Sequence, residues 1–511
     1  MPKAPEQLRD RAAQLLMPRL GSNMPPPVSV ADDTDRAAAL LKQIPVGGFV
    51  LFRGSRLESP PALARLQECS EIPLLFSSDL ERGAGQQLHG ATVFPHAMAF
   101  GEADLSLDEE AVFEAARWTA REAVTCGVHW LFAPVADVHS NPVNPIISTR
   151  AFGSSPEACA RHVTAFIRGA RAGGGLSTAK HFPGHGDTDT DSHDALSAVS
   201  RSRGELDSVE LAPFRAAIEA GVDSVMTAHV SYPALDPGGR AATFSSPILR
   251  DLLRTELGFE GVVVSDSLLM GAAGREVSAR APELIAAGVD VLLDISHPAV
   301  AVDAIVRAVE SGSLEERLVQ DAFSRVWAMK ERSVFRSNGA SGAKPKSGAA
   351  AALAERVAEA SLRLTGDFET ILRGRTTVPL VLIRPHTDYP DPTRADAASI
   401  LSAASNRLQL EEVGPERDPR QLERILERSR EAGAAVVAMV IKPAAWHSFG
   451  LLDWQAAFAA SVIEAAPTVT CLLGSPDGDR GLPGPAARLV SFSDVEPSVR
   501  AVASQLARAL G

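Results

Sequence analysis

The chain has 511 residues, of which 45% are hydrophobic and 22% charged, with a formal net charge of −13. Its length exceeds one ordinary core and predicts two domains of a globular protein. The anionic balance excludes nucleic acid or an anionic membrane surface as the main partner, because both would repel it.

In chain order, the opening stretch MPKAPEQLRDRAAQLLMPRLG is broken by Arg9, Asp10 and Arg11 and lacks the apolar core of a signal peptide. No apolar run is long enough to span a bilayer. Cys69, Cys126, Cys159 and Cys471 are far apart with no CxxC spacing, which implies neither a disulfide framework nor a zinc site. Together these features predict a soluble, cytoplasmic protein.

Short apolar runs follow: GGFVLF (47–52), PLLFSSD (73–79), VHWLFAPVAD (128–137), LSTAKHF (176–182), VDSVMTAH (222–229), GVVVSD (261–266) and VDVLLD (289–294). Between them lie amphipathic stretches at 108–125, 156–172, 207–220 and 246–256. Asp108, Ser155-Pro156 and Ser246-Pro247 supply start signals, and Gly221, Gly258 and Gly288 supply stops. Such alternation predicts a parallel sheet covered by helices, either a closed barrel or an open doubly wound sheet. Polar residues end strand after strand: Asp79, Asp137, Lys180-His181, His229, Asp266, Asp294. A barrel gathers all its strand ends at one mouth, whereas an open sheet gathers only those at its switch point, so the barrel is favoured. The predicted organisation is a TIM-type barrel over 1–335, a Gly/Ser/Ala/Lys-rich linker at 336–350, and a smaller α/β sandwich over 351–511. In the last, 378–384, 435–441 and 468–474 read as buried strands.

One segment is dense in titratable groups: KHFPGHGDTDTDSH, residues 180–193. Pro183, Gly184 and Gly186 prevent regular structure there and let the backbone approach a ligand. A solvated turn, a metal site built from His181, His185 and His193, and an acid/base loop all remain open on composition. Asp191 and His193 flank Ser192, so on an extended segment their side chains point to one side. A carboxylate so placed orients an imidazole and keeps it protonated for donation. Downstream, GFEGVVVSDSLLMGA (258–272) ends a buried strand at Ser265-Asp266. Asp266 there suits a nucleophile, a stabiliser of positive charge, or a helix cap.

These two motifs, with FAPVADVHSNPVNPIISTRAFG (132–153), GATVFPHAMAFG (90–101) and MTAHVSYPALD (226–236), resemble glycoside hydrolase family 3 in its β-N-acetylglucosaminidase branch. The resemblance covers about residues 45–330 in the family's order. It implies Asp266 as catalytic nucleophile, His193 as acid/base and Asp191 as its dyad partner. It implies further that Lys180, His181, Arg150 and Asp79 bind sugar hydroxyls. The implied activity is retaining removal of terminal β-linked N-acetylglucosamine from small carbohydrates such as muropeptide fragments, in cell-wall recycling, with no metal or organic cofactor. Within the same resemblance lie a phosphorylase, a β-glucosidase or β-xylosidase, and a non-catalytic sugar-binding protein. The chain departs from the pattern in three places. Ser267 follows Asp266 where a second acid is usual. In DLERGAGQQ (79–87), Arg82 replaces a glycine and Gln87 stands where an arginine contacts ligand, so Gln87 is the expected substrate contact there, with the nearby Arg82 as the alternative.

Overall fold

The computed structural model describes residues 3–189, 196–271, 276–339, 348–385, 391, 393–443 and 449–511. The chain forms two compact units. The first takes Met1–Thr92, Val112–Asn141 and Ser154–Ser347; the second takes Val93–Ala111, Pro142–Gly153 and Gly348–Gly511. Two segments from within the N-terminal stretch, 93–111 and 142–153, therefore group with the C-terminal one.

The first unit is a closed ring of parallel strands, as the polar strand ends predict. Its strands are β1 (Leu16–Met17), β2 (Arg19–Leu20), β3 (Gly48–Leu51), β4 (Leu75–Ser78), β5 (Trp130–Leu131), β6 (Thr178–Phe182), β7 (Ser224–Thr227), β8 (Val262–Val264) and β9 (Leu292–Leu293). Pairing runs β2 to β3 to β4 to β5, then β6 to β7 to β8, all parallel. Parallel bridges Trp130↔Leu176 and Val264↔Val291 join the remaining gaps. The seam closes where Leu16 and Met17 pair with Leu292 and Leu293. Strands β3, β4, β6, β7 and β8 are buried along their whole length, which is why they read as continuous apolar runs. Inside the ring, Trp130 Nε1 donates at 2.8 Å to both Thr178 Oγ1 and Ser224 Oγ, so the one polar atom of a large buried ring is satisfied.

The helices form outside. In Pro156–Ala172 the Ser155 hydroxyl accepts the Ala158 N–H, Pro156 opens the first turn, and Cys159, Val163, Phe166, Ile167 and Ala170 make the inward face. The helix expected at 108–125 starts earlier, at Ala97, and runs to Thr125. The stretch at 207–220 is two helices, Arg203–Ser208 and Leu211–Glu219. Pro247–Glu256 is wound with the wider i→i+5 pattern.

The second unit is built on a six-stranded sheet. Its strands are β10 (Arg363–Gly366), β11 (Val378–Ile383), β12 (Leu408–Val413), β13 (Ala435–Ile441), β14 (Thr468–Gly474) and β15 (Ala487–Val490). The order across the sheet is β10-β15-β14-β13-β11-β12, with β10 alone antiparallel. Chain reversal between β11 and β13 makes it doubly wound. Val499, Val502, Leu506 and Leu510 of helix Glu496–Leu510 share one core with Leu380, Leu382, Val436, Val469 and Cys471. The two inserted segments are tied into this unit: His96 Nδ1 lies 2.7 Å from Ser493 Oγ, and Ser148 Oγ donates to Ser475 Oγ at 2.9 Å. Among the described residues no helix is long and apolar enough to cross a membrane.

Candidate active site

Parallel strands of a barrel all end at one mouth, so a residue just past a strand reaches that mouth whatever its distance in sequence. Asp79 follows β4, Lys180 and His181 lie in β6, His229 follows β7, Asp266 follows β8 and Asp294 follows β9.

Lys180 is fully buried. Its ammonium lies 2.7 Å from Asp79 Oδ1 and 2.7 Å from Glu81 Oε1, so a cation enclosed by apolar strands is balanced by two carboxylates. Asp79 remains partly open to solvent. The lysine and the aspartate are thus locked together at the mouth by a charge-assisted hydrogen bond.

Asp137 is completely buried and organises the start of the titratable loop. Oδ2 faces His181 Nδ1 at 2.7 Å, both oxygens accept the His181 N–H at 3.2 Å, and Oδ1 accepts the His185 N–H at 2.6 Å. An ionised carboxylate only accepts, so the His181 proton sits on Nδ1 and the ring is fixed in orientation. His185 is buried beside it, the two rings edge to face at 6.0 Å. Burial, and then the neighbouring His181, push the His185 imidazole down to about 4, so it stays neutral; its Nδ1 lies 2.9 Å from Thr188 Oγ1. The peptide bonds Lys180–His181 and Phe182–Pro183 are cis.

The base of this loop is packed against the barrel. A side chain on Gly186 would place its Cβ 1.7 Å from the Val138 carbonyl oxygen, so only glycine fits. Tyr232 donates its hydroxyl to the Gly184 carbonyl, and Asn141 donates to the Asp187 and Thr188 carbonyls at 3.3 Å. Arg201 pairs with Asp187 at 2.8 Å and with Glu210 at 3.1 Å. Burial raises the Glu210 carboxyl to about 7 against the pull of Arg201.

Asp266 Oδ1 accepts the Ser267 N–H at 2.7 Å. Asp294 Oδ1 accepts Arg19 Nε at 3.0 Å, and its Oδ2 takes Arg19 Nη2 and, at 2.7 Å, Ser267 Oγ.

Of the residues singled out in the sequence, Asp79, Lys180, His181 and Asp266 are thus placed at strand ends of one mouth. Asp191 and His193 lie outside the described residues. Arg150 sits in the short turn Ser148–Arg150 of the second unit, where its Nη1 donates to the Ile146 carbonyl at 2.9 Å. Gln87 is buried, and its Oε1 accepts Asn23 Nδ2 at 3.0 Å and the Arg53 N–H at 3.2 Å. That oxygen therefore braces two loops. Sequence reasoning missed Glu81 and the anchoring role of Asp137. Glu81 was visible only as the second acid after β4, and Asp137 only as one strand-end acid among several.

The family model for the glycosyl hydrolase family 3 N-terminal domain matches residues 7–329. A β-N-acetylglucosaminidase/β-glucosidase of Cellulomonas fimi is 33% identical over 314 residues, 59% of this chain and 55% of that protein, so the chain spans little more than half of that relative. A β-hexosaminidase of Nitrosomonas eutropha is 36% identical over 278 residues, 52% of this chain and 78% of its own. A solved glycoside hydrolase family 3 β-N-acetylglucosaminidase from Paenibacillus sp. str. FPU-7 superposes with a TM-score of 0.85 at 31% identity, covering 99% of this chain and 98% of that one.

Proposed function

Since the chain belongs to glycosyl hydrolase family 3, we propose that it is a β-N-acetylglucosaminidase, the activity named for its relatives, and that it acts on terminal residues with retention of configuration. The observation that supports this most is the position of Asp266: a carboxylate just past barrel strand β8, its oxygen oriented by a backbone N–H, at the same end of the parallel strands as Asp79, Lys180 and His181.

In the first step an Asp266 oxygen attacks the anomeric carbon while the His193 imidazolium, oriented by Asp191, gives its proton to the departing glycosidic oxygen. In the second, neutral His193 takes a proton from water, whose oxygen attacks the same carbon and releases the Asp266 carboxylate. Lys180, His181 and Asp79 hold the sugar hydroxyls. The reading extends to terminal N-acetylglucosamine on muropeptide-like fragments, in a cytoplasmic recycling role.

Charge at the mouth supports hydrolysis over phosphorolysis. Among the described residues at the strand ends, the carboxylates of Asp79, Glu81, Asp137, Asp266 and Asp294 outnumber the Lys180 ammonium and the Arg19 guanidinium that pair among them. An anionic surround stabilises an oxocarbenium-like transition state and repels an incoming phosphate.

The test is turnover of nitrophenyl N-acetyl-β-glucosaminide by wild type, Asp266→Asn and His193→Ala, with and without phosphate. Asp266→Asn is expected to lose about 10⁴-fold or more in kcat. His193→Ala should keep much of the first step, because nitrophenolate leaves with little protonation. A sugar phosphate product would replace this reading with phosphorolysis, faster release from nitrophenyl β-glucoside would replace it with a β-glucosidase, and full activity in Asp266→Asn would end it.

A further inference from the structure

We infer that Ser267, held by Asp294 and His229 and through Asp294 by Arg19, is the positioning residue that aims the Asp266 nucleophile; this rests on the reading of Asp266 just given. A carboxylate attacking carbon must present one oxygen along a narrow line, yet the terminal torsion of an aspartate is soft. The Ser267 N–H on Oδ1 removes that freedom only if its own peptide is rigid.

The polar groups of Ser267 are all engaged. Besides its N–H on Asp266, its carbonyl accepts His229 Nε2 at 3.1 Å, and its hydroxyl donates to Asp294 Oδ2 at 2.7 Å and accepts the Leu269 N–H at 3.4 Å. The anchors come from the ends of other strands: His229 past β7, Asp294 past β9, and Arg19 in β2.

Each anchor is itself fixed. His229 is completely buried; its Nε2 faces a carbonyl and so carries the proton, while Nδ1 lies 2.8 Å from Thr243 Oγ1, which is 2.8 Å from Thr227 Oγ1. Asp294 has φ +59, a left-handed conformation that aspartate tolerates, and its N–H is bonded to the Met17 carbonyl at 2.7 Å. Arg19 clasps Asp294 through two nitrogens and lies over the Phe52 ring at 4.6 Å. The geometry also accounts for serine at this position: a carboxylate at 267 would face that of Asp294 where a hydroxyl now donates.

The experiment uses the full chain with nitrophenyl N-acetyl-β-glucosaminide and a fluorinated N-acetylglucosaminide that traps the glycosyl-enzyme. Ser267→Ala is expected to lower kcat and the trapping rate about 30-fold with KM within about twofold of wild type. Ser267→Thr, which keeps the hydroxyl, should recover most of that loss. Ser267→Ala in an Asp294→Asn background should cost much less than it does alone, because the two act through one bond. Wild-type trapping by folded Ser267→Ala, or losses that simply multiply in the double variant, would overturn the inference. Asp266→Asn run alongside separates the two ideas: if it still turns over or is still trapped, the nucleophile assignment has failed.

Discussion

The barrel carries buried charge at both ends of the same strands, and the two ends treat it differently. At the floor, Asp290 precedes β9 and is met by Arg254 at 2.6 Å, Arg325 at 2.8 Å and the Val263 N–H at 2.8 Å. Lys330 is enclosed there by Gln14 and the Pro73 carbonyl, and burial brings its ammonium down to about 7. The partners of Asp290 lock helices to strand β8, and Lys330 fastens its helix to the segments at Gln14 and Pro73. At the mouth, Asp137 is answered by an imidazole and backbone N–H groups, and Lys180 by two carboxylates that also reach the opening. The same ionic chemistry is thus spent on fastening at one end and on presenting oriented groups at the other, as barrels divide stability from catalysis.

Mutating one residue at each end tests this division. The largest effect expected is at Asp137. Asp137→Ala leaves the His181 ring, its N–H and the His185 N–H without their acceptor, so kcat/KM should fall about 10³-fold, with a smaller loss of thermal stability. If activity survives within tenfold, the mouth is not organised by Asp137. Asp290→Ala should do the reverse. Stranding two guanidiniums is expected to cost about 3 kcal/mol in urea unfolding while the folded fraction keeps wild-type kcat. A matching loss of kcat would show that the ends are not separable.

The smallest effect concerns Glu210, under the loop. Its carboxyl is raised from 4.5 to about 7 in the fold, so its stabilising contribution is complete below about pH 4.5 and is lost as pH rises through 7. Glu210→Gln should flatten the fall of Tm between pH 5 and 7.5, measured by calorimetry against wild type. An unchanged slope would mean that Arg201 keeps Glu210 ionised throughout.

The sequence was most legible where one signal had one physical cause. Runs such as GVVVSD and AVVAMVI are buried on both faces, and they form β8 and β13. Asp79, Lys180, His181 and Asp266 stand out because they close apolar runs, the positions whose ends a parallel barrel gathers at one mouth. Legibility failed where a tertiary contact overrode the local pattern. Two-residue β1 and β2, interrupted by Pro18, are too short for any period to show. Asp108 looked like a helix start, but the helix begins eleven positions earlier and tolerates Gly101, where a Cβ would lie 1.7 Å from the Phe152 carbonyl oxygen. LQLEEV forms the edge strand β12, whose polar middle hid it. The bonds of Gln87 Oε1 to Asn23 and Arg53 depend on loops far away in sequence, so no local pattern announces them.

The seam of the ring has one further consequence. Leu16 and Met17 leave the ribosome long before Leu292 and Leu293, the strand that completes their pairing, and Arg19 and Asp294 straddle the same junction. A nascent or nicked chain in which the cylinder stays open lacks the Arg19–Asp294 pair and so the brace behind Ser267. With Asp266 proposed as the nucleophile, turnover is expected to depend on whether the first and last strands have met, and clipping the N-terminal arm should abolish it.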